Sequence, residues 1–386
     1  MTISSDGVLV VGVVGAGQLA RMMHQATIGL GIQLRVLATS PNESAAAVLQ
    51  DVVLGAWEDL EQLQHFADGC DVVTFDHELV APEHLRALEQ AGCVVRPSAA
   101  AALFAQDKLH QRELLSAAGF PVPRFRRVRD ADDLVAHGDE TGWPVMAKAV
   151  RGGYDGRGVW VVDDAAGAHA LVSATSRDGV VLLAEERVDL AGEVAVAVAR
   201  RPGGEQVAWP VTQTVQRDGI CVELVVPAPL AADVAAEARA LAASVVDHVG
   251  GVGVVAVELF LTTDGRVLIN ELALRPHNSM HWTIEGARTS QFQNHIRAVL
   301  DLPLGSAELT APAVATVNVL GPKDGSDPRS RIAGALAVDG VAIHLYGKSS
   351  RPGRKIGHVT ALADDHDTAV ARARQAAAAL TGQDSA

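Results

Sequence analysis

Short apolar runs separated by amphipathic stretches fill the first hundred residues. Val8–Val14 is nearly unbroken apolar sequence and predicts a buried strand; a glycine turn follows, and Gln18 to about Gly29 repeats apolar positions at helical spacing. Further strands are predicted at Gln33–Leu37, Asp51–Leu54, Val72–Phe75 and Cys93–Arg96, with helices at Asp59–Ala67 and Pro82–Ala91. Strands that alternate with helices imply a parallel sheet covered on both faces.

After a helical stretch from Ala99 to Gly119 the texture changes. Strand-like runs at Pro121–Arg127, Val145–Val150, Val159–Val162 and Val180–Glu185 accompany helices at Ala131–Thr141 and Ala165–Ala174. From Glu193 strands dominate: Val194–Arg200, Val207–Val211 and Ile220–Val226, then an alanine-rich helix at Ala231–Val249, then Gly253–Leu261 and Arg266–Glu271. Beyond about Pro312 come strands at Val314–Leu320, Val341–Tyr346 and Ile356–Leu362 and a helix near Thr368–Leu380, with no internal repeat.

A chain of 386 residues is too long for one hydrophobic core, so two or three domains are expected. No apolar run approaches the roughly 18 residues that cross a bilayer, and no secretory signal is expected, which points away from membranes. The three cysteines, Cys70, Cys93 and Cys221, lack metal-like or redox spacing and read as reduced thiols of a cytoplasmic protein. A formal charge of −14 argues against a nucleic-acid surface. Any phosphorylated ligand must then be held by local cations and backbone N–H groups working against the average field.

Three local patterns carry chemistry. Gly15-Ala16-Gly17-Gln18-Leu19-Ala20 follows a strand and opens a helix, which fits a dinucleotide turn, a site for one phosphate, or glycines kept for close helix–strand packing. The second strand ends Leu37-Ala38-Thr39-Ser40 without the acid that would hold a ribose, so the dinucleotide option loses ground. Lys148 lies near the end of one strand, and Arg151-Gly152-Gly153-Tyr154-Asp155-Gly156-Arg157-Gly158 leads into the next. Four glycines among those residues make a flap that can lay N–H groups against an anion, and the absence of a following helix excludes a Walker loop. Finally, Asp264-Gly265 is a strong hairpin signal. A two-residue turn there sets Glu258 directly opposite Glu271, two like charges about 5 Å apart that call for a bridging cation.

Lysine strand, glycine flap and late carboxylate hairpin together resemble the ATP-grasp superfamily, in which ATP lies between two lobes. The resemblance narrows with GxGQLxRM at Gly15–Met22, GGYDGRG at Gly152–Gly158, Asn270-Glu271, RPHNSxHW at Arg275–Trp282 and RPGRKxGH at Arg351–His358. These motifs are similar to those of the 5-(carboxyamino)imidazole ribonucleotide synthases of purine biosynthesis, from about Val10 to Thr360. That resemblance implies an α/β and α+β fold with four parts. They are an N-terminal substrate-binding domain (1–106), an ATP-grasp small lobe with the flap (107–190), a large lobe (191–310), and a small β-rich C-terminal domain packing on the large lobe (311–386).

The resemblance also implies the chemistry: ATP, bicarbonate and aminoimidazole ribonucleotide give ADP, phosphate and the N-carboxylated nucleotide through carboxyphosphate. The cofactors implied are ATP and Mg2+, as one ion or two, with no biotin; a cytoplasmic homodimer is implied as well. Lys108 and Lys148 would contact ATP phosphates under the flap residues Gly153, Tyr154, Asp155, Gly156, Arg157 and Gly158. Glu185, Glu186, Arg187 and Val188 would form the hinge that reads adenine through backbone groups, Glu193 would hold the ribose, and Gln216 and Asn270 would also contact nucleotide. Glu258 and Glu271 would carry Mg2+. Arg275, His277 and Asn278 would gather bicarbonate, with His277 either moving a proton or serving as a plain hydrogen-bond donor. Gln18, Glu78, Tyr154, Asp155 and Arg157 would orient the imidazole nucleotide, and Lys348, Arg354 and Lys355 would bind its phosphate, Lys348 also standing among the catalytic residues. Tyr154 has a second reading as flap packing.

Four positions depart from the family pattern: Ala20 and Met280 replace glycines, Asp76 a glutamate, and Leu274 a proline. A formate-dependent transformylase or a biotin carboxylase shares the flap and carboxylates but not the last two motifs. A nucleotide-binding module without turnover would lack Lys148 or a hairpin glutamate. An oxidoreductase would rest on Gly15–Ala20 alone.

Overall fold

The computed structural model describes residues 7–153 and 157–382. The strands Val52–Leu54, Gln33–Ala38, Val10–Val14 and Val72–Phe75 lie in that order in one parallel sheet. Every residue of Val10–Val14 is buried, as expected of a central strand with helices on both faces. The strand predicted at Cys93–Arg96 reduces to one bridge between Val95 and Val73.

The small lobe is a four-stranded antiparallel sheet ordered Phe125–Val128, Leu182–Glu186, Val145–Ala149, Val159–Val162. Its first strand begins later than predicted because Pro121 and Pro123 have no N–H to give a ladder. Lys148 pairs with Val159 across the mouth of the flap. At the base of the flap Gly158 adopts φ +73°, and a Cβ on Gly153 would come within 2.8 Å of the Arg157 carbonyl, so both positions require glycine.

The large lobe centres on the strand Leu190–Arg200, whose Val-Ala alternation divides two cores. Val194, Val196 and Val198 pack toward the helix Ala232–Val249. Ala195, Ala197 and Ala199 face a cluster with Trp209, Met280 and Trp282, and their small side chains leave room for the indoles. The extra bulk of Met280 therefore enters the core rather than the cleft.

Strands after residue 312 do not build a separate sheet. Ala313–Leu320 pairs antiparallel with Ile220–Val226, Lys355–Ala363 follows, and Val341–Leu345 closes the edge, all within one nine-stranded sheet. The C-terminal residues thus extend the large lobe's sheet instead of stacking against it.

The N-terminal domain is fixed to the large lobe by His295 on the helix Gln291–Val299. Its Nδ1 accepts the Val254 N–H at 3.1 Å, so Nε2 carries the proton and donates to Thr74 Oγ1 at 2.9 Å. Burial pushes this imidazole down to about 3, and its neutral tautomer is thereby fixed.

The hairpin departs from expectation in an informative way. Its turn has three residues, Thr263, Asp264 and Gly265, closed by the Thr262 N–H to the Arg266 carbonyl at 3.0 Å with Gly265 at φ +87°. That register alone would set Asn270 opposite Glu258 and turn Glu271 to the other face. A β-bulge follows Ile269: Leu259 pairs with Ile269, and Glu258 with Glu271, so Asn270 is the extra residue. Turn and bulge each shift the register by one, and the predicted pairing of the two glutamates survives.

Candidate active site

A cleft of about 1470 Å3 runs between the small and large lobes and reaches the N-terminal domain. Asp107 caps the helix Lys108–Ala117 by accepting the His110 N–H at 2.9 Å, which fixes Lys108 in the first turn. Arg112 lies one turn further on the same face.

From the small lobe, Lys148 Nζ reaches Glu185 Oε2 at 2.6 Å and Asn270 Oδ1 at 3.4 Å. Arg112 Nε holds the other Glu185 oxygen at 2.7 Å, and its Nη2 donates to the Asn270 carbonyl at 2.6 Å. Burial alone would raise the Glu185 carboxyl, but Arg112 and Lys148 outweigh it and hold it at about 2. The Glu185 side chain is thus occupied in clamping Lys148 and Arg112, which is compatible with a hinge that acts through backbone groups.

Across the cleft Glu271 accepts Lys108 Nζ at 2.6 Å. Its partner Glu258 is pushed up to about 7, first by burial, then by the charges of Glu271 and Glu193; Lys108 and Lys355 only partly offset them. Burial likewise raises Glu193, against the pull of Lys148. Two opposed hard-oxygen groups, one of which holds a proton near neutrality, suit a divalent cation that would displace that proton.

His277 Nε2 stands 3.7 Å from Glu258, and its Nδ1 lies 2.9 Å from Ser279 Oγ. Burial and the positive charges of Arg275 and Lys355 push this imidazole down to about 3. His277 is therefore neutral, and because its Nδ1 accepts the Ser279 N–H at 3.4 Å, Nε2 carries the ring proton on the side of Glu258. This favours the donor reading of His277 over proton transfer. Arg275 Nε pairs with Glu78 Oε2 at 2.8 Å, which joins the proposed bicarbonate end to the N-terminal domain.

Most residues singled out by sequence line this cleft: Gln18, Glu78, Lys108, Lys148, Gly153, Glu185, Glu186, Arg187, Val188, Glu193, Gln216, Glu258, Asn270, Glu271, Arg275, His277, Asn278 and Lys355. Lys348 lies one step behind, its Nζ donating to Gln18 Oε1. Arg354 is exposed and bonds Ser349 Oγ at 3.0 Å instead of lining the cleft. Arg157 and Gly158 sit at the flap's edge outside the lining, and Tyr154, Asp155 and Gly156 fall outside the described residues.

The first glycine turn is settled by its neighbours. Asp76 accepts the N–H groups of Gly17 and Ala20, so a carboxylate already fills the anion position at the start of the helix Gln18–Ile28. A Cβ on Gly15 would lie 2.7 Å from the His77 ring. Close packing, not phosphate binding, is what these glycines serve.

Sequence reading missed Arg112, Phe260 and Tyr346. Phe260 lines the cleft with its ring 5.9 Å from Lys148 Nζ. Two-residue spacing from Glu258 on the same strand would have placed it there. Helical spacing from Lys108 would have flagged Arg112; Tyr346, at the C-terminal end of the cleft, carried no such signal.

Residues 8–106 match the ribonucleotide synthetase preATP-grasp domain, 113–292 the ATP-grasp domain, and 314–372 the phosphoribosylaminoimidazole carboxylase C-terminal domain. An N5-carboxyaminoimidazole ribonucleotide synthase from Mycobacterium tuberculosis is 51% identical over 372 residues, covering 95% of this chain and 86% of its own. One from Corynebacterium ammoniagenes is 46% identical over 382 residues, covering 96% and 92%. Among solved structures, the Aspergillus clavatus N5-carboxyaminoimidazole synthase with ADP and 5-aminoimidazole ribonucleotide superposes at a TM-score of 0.87 with 32% identity, over 97% of this chain and 98% of that one. The Thermus thermophilus synthetase gives 0.84 with 35% identity, over 96% and 98%.

Proposed function

This chain belongs to the N5-carboxyaminoimidazole ribonucleotide synthase family of ATP-grasp ligases, and from that premise we propose how its cleft works. The protein is an ATP-dependent ligase that carboxylates 5-aminoimidazole ribonucleotide to its N5-carboxyamino product in purine biosynthesis. We propose further that bicarbonate is the carbon source, that carboxyphosphate is the intermediate, and that Mg2+ accompanies ATP.

Bicarbonate is a poor electrophile, and phosphorylation turns one of its oxygens into a leaving group. Lys108 and Lys148 neutralise and align the ATP phosphates from one wall, while Glu258 and Glu271 face them from the other. Mg2+ held by those two glutamates would neutralise charge on the transferring phosphoryl group. Arg275, His277 and Asn278 hold bicarbonate at the same end, with neutral His277 donating a hydrogen bond. Glu78 and Gln18 orient the imidazole nucleotide, and Lys355, with Lys348 behind, faces its phosphate. The glycine flap closes over the site and keeps water from carboxyphosphate.

The observation that carries this reading is the opposed Glu258–Glu271 pair facing the two lysines across one cleft. It is tested by coupled ADP release with aminoimidazole ribonucleotide, with and without bicarbonate. ADP release that formate supports and bicarbonate does not would move the protein to another ATP-grasp reaction. Family membership also carries the expectation of a cytoplasmic homodimer, which sedimentation tests for its oligomeric part; among the described residues no helix is long and apolar enough to cross a membrane.

Two further outcomes are expected. Glu258 keeps a proton below about pH 7 in the cation-free protein, and Mg2+ must expel it. Apparent Mg2+ affinity therefore falls about tenfold for each pH unit below 7, with close to one proton released on binding. Calorimetry in buffers of different ionisation enthalpy reads that proton; equal affinity at about pH 6 and 8 would remove Glu258 from the cation site. Lys355→Ala raises the KM for the imidazole nucleotide about tenfold and that for ATP much less, on the order of one lost charge-assisted hydrogen bond. Equal losses for both ligands count against its phosphate role.

A further inference from the structure

Gln291 is the first residue of the helix Gln291–Val299 and is fully buried behind the cleft wall, outside the cleft lining. Its carboxamide reaches the Arg275–Met280 segment at two points of one residue. Oε1 accepts the His277 N–H at 2.8 Å, and Nε2 donates to the His277 carbonyl at 2.8 Å. The same Nε2 lies 3.2 Å from His281 Nδ1, so both ends of the amide group are engaged. One side chain thus pairs with His277 as a neighbouring β-strand would, and it holds that residue extended at φ −125° and ψ 152°.

The clamp is itself held firmly. Ser290 caps the helix in a reciprocal capping box with Gln293, and the Gln291 N–H donates to Thr283 Oγ1 at 3.0 Å. Thr283 in turn donates to the Met280 carbonyl at 2.6 Å. Four residues of the segment, Arg275, His277, Asn278 and Ser279, line the cleft, while Met280 is locked in the core by its burial among Trp209 and Trp282. Arg275 at its start is paired with Glu78, and between these two ends Gln291 places His277.

We propose that Gln291 is a positioning residue for the bicarbonate end of the site, setting His277 and Asn278 at their distance from the glutamate pair through its two-point pairing with the His277 peptide groups. The inference rests on the reading of that end given above. Catalytic groups lose effect when displaced by about 1 Å, and an amide that fixes both polar groups of one residue removes that freedom.

Only a carboxamide of this length can accept from the N–H and donate to the C=O together. Gln291→Met keeps the volume and loses both bonds. It is expected to raise the KM for bicarbonate at least about tenfold while the KM values for ATP and for the imidazole nucleotide stay within about threefold, since neither of those ligands depends on His277. Gln291→Asn, one methylene shorter, is polar but cannot reach both groups, and it is expected to give the same split. A bicarbonate KM within about threefold of the parent in either folded variant overturns the proposal, as does a parallel rise in all three KM values. If neither variant folds, Gln291 serves folding alone and the proposal also falls. The parent enzyme's own bicarbonate-dependent ADP release is the control: its absence strikes the reading of the site, not the clamp.

Discussion

Glu271→Gln abolishes measurable ADP formation, turnover falling by on the order of 10²–10³-fold or more, while the protein melts close to its parent. The substitution keeps volume and a hydrogen-bond acceptor for Lys108, which lies 2.6 Å away, so the fold has little reason to change. In the proposed mechanism, what is lost is one of the two carboxylates that would hold a cation against the ATP phosphates. A secondary sign accompanies it. The charge of Glu271 helps to raise the Glu258 carboxyl, so its removal lowers that carboxyl from about 7. Turnover at the parent rate in a folded Glu271→Gln protein would remove the cation assignment and with it the mechanism above.

Glu185→Gln is expected to destabilise the protein by about 3–5 kcal/mol in urea unfolding. The side chains of Glu185 and Arg112 are each only 2% exposed, and Lys148 completes the network. Removing the central charge strands the buried Arg112 guanidinium and leaves Lys148, on the cleft wall, without its carboxylate. The same carboxylate gives the pH dependence its sign. Its folded value of about 2 lies below the ordinary value of 4.5, so its contribution is complete above 4.5 and is lost as pH falls toward 2. Unfolding curves of the parent should weaken across that interval, and those of Glu185→Gln should be flatter there. A loss below about 1 kcal/mol would mean that the network is no stronger than a surface pair.

What the sequence made legible was whatever repeats locally. The parallel sheet of the N-terminal domain follows from alternating apolar runs, and the two strands flanking the glycine flap pair antiparallel as expected. The C-terminal strands were also visible, but not their partner, because edge-to-edge pairing of Ile220–Val226 with Ala313–Leu320 leaves no local mark in either segment. The glutamate pair was placed correctly through a turn of the wrong length. A bulge at Asn270 cancels the extra loop residue, and no propensity scale announces a bulge there. Asp76, noted only as shorter than a family glutamate, proved to decide the first glycine turn by capping the helix itself. Arg354 stands apart from the cleft lining: a motif assigns a residue type, whereas side-chain direction in an exposed loop is set by neighbours such as Ser349.

The seam between Glu223–Val226 and Val314–Val317 has a practical side. A boundary cut there for crystallisation or for dissecting the enzyme would not release a tidy module. It would bare a row of unpaired N–H and C=O groups on Ile220–Val226, whose Leu224 and Val226 are fully buried at present. Such a fragment invites self-association through that open margin. The residues beyond 312 are thus no appendage: they are the hem that keeps the central fabric from fraying.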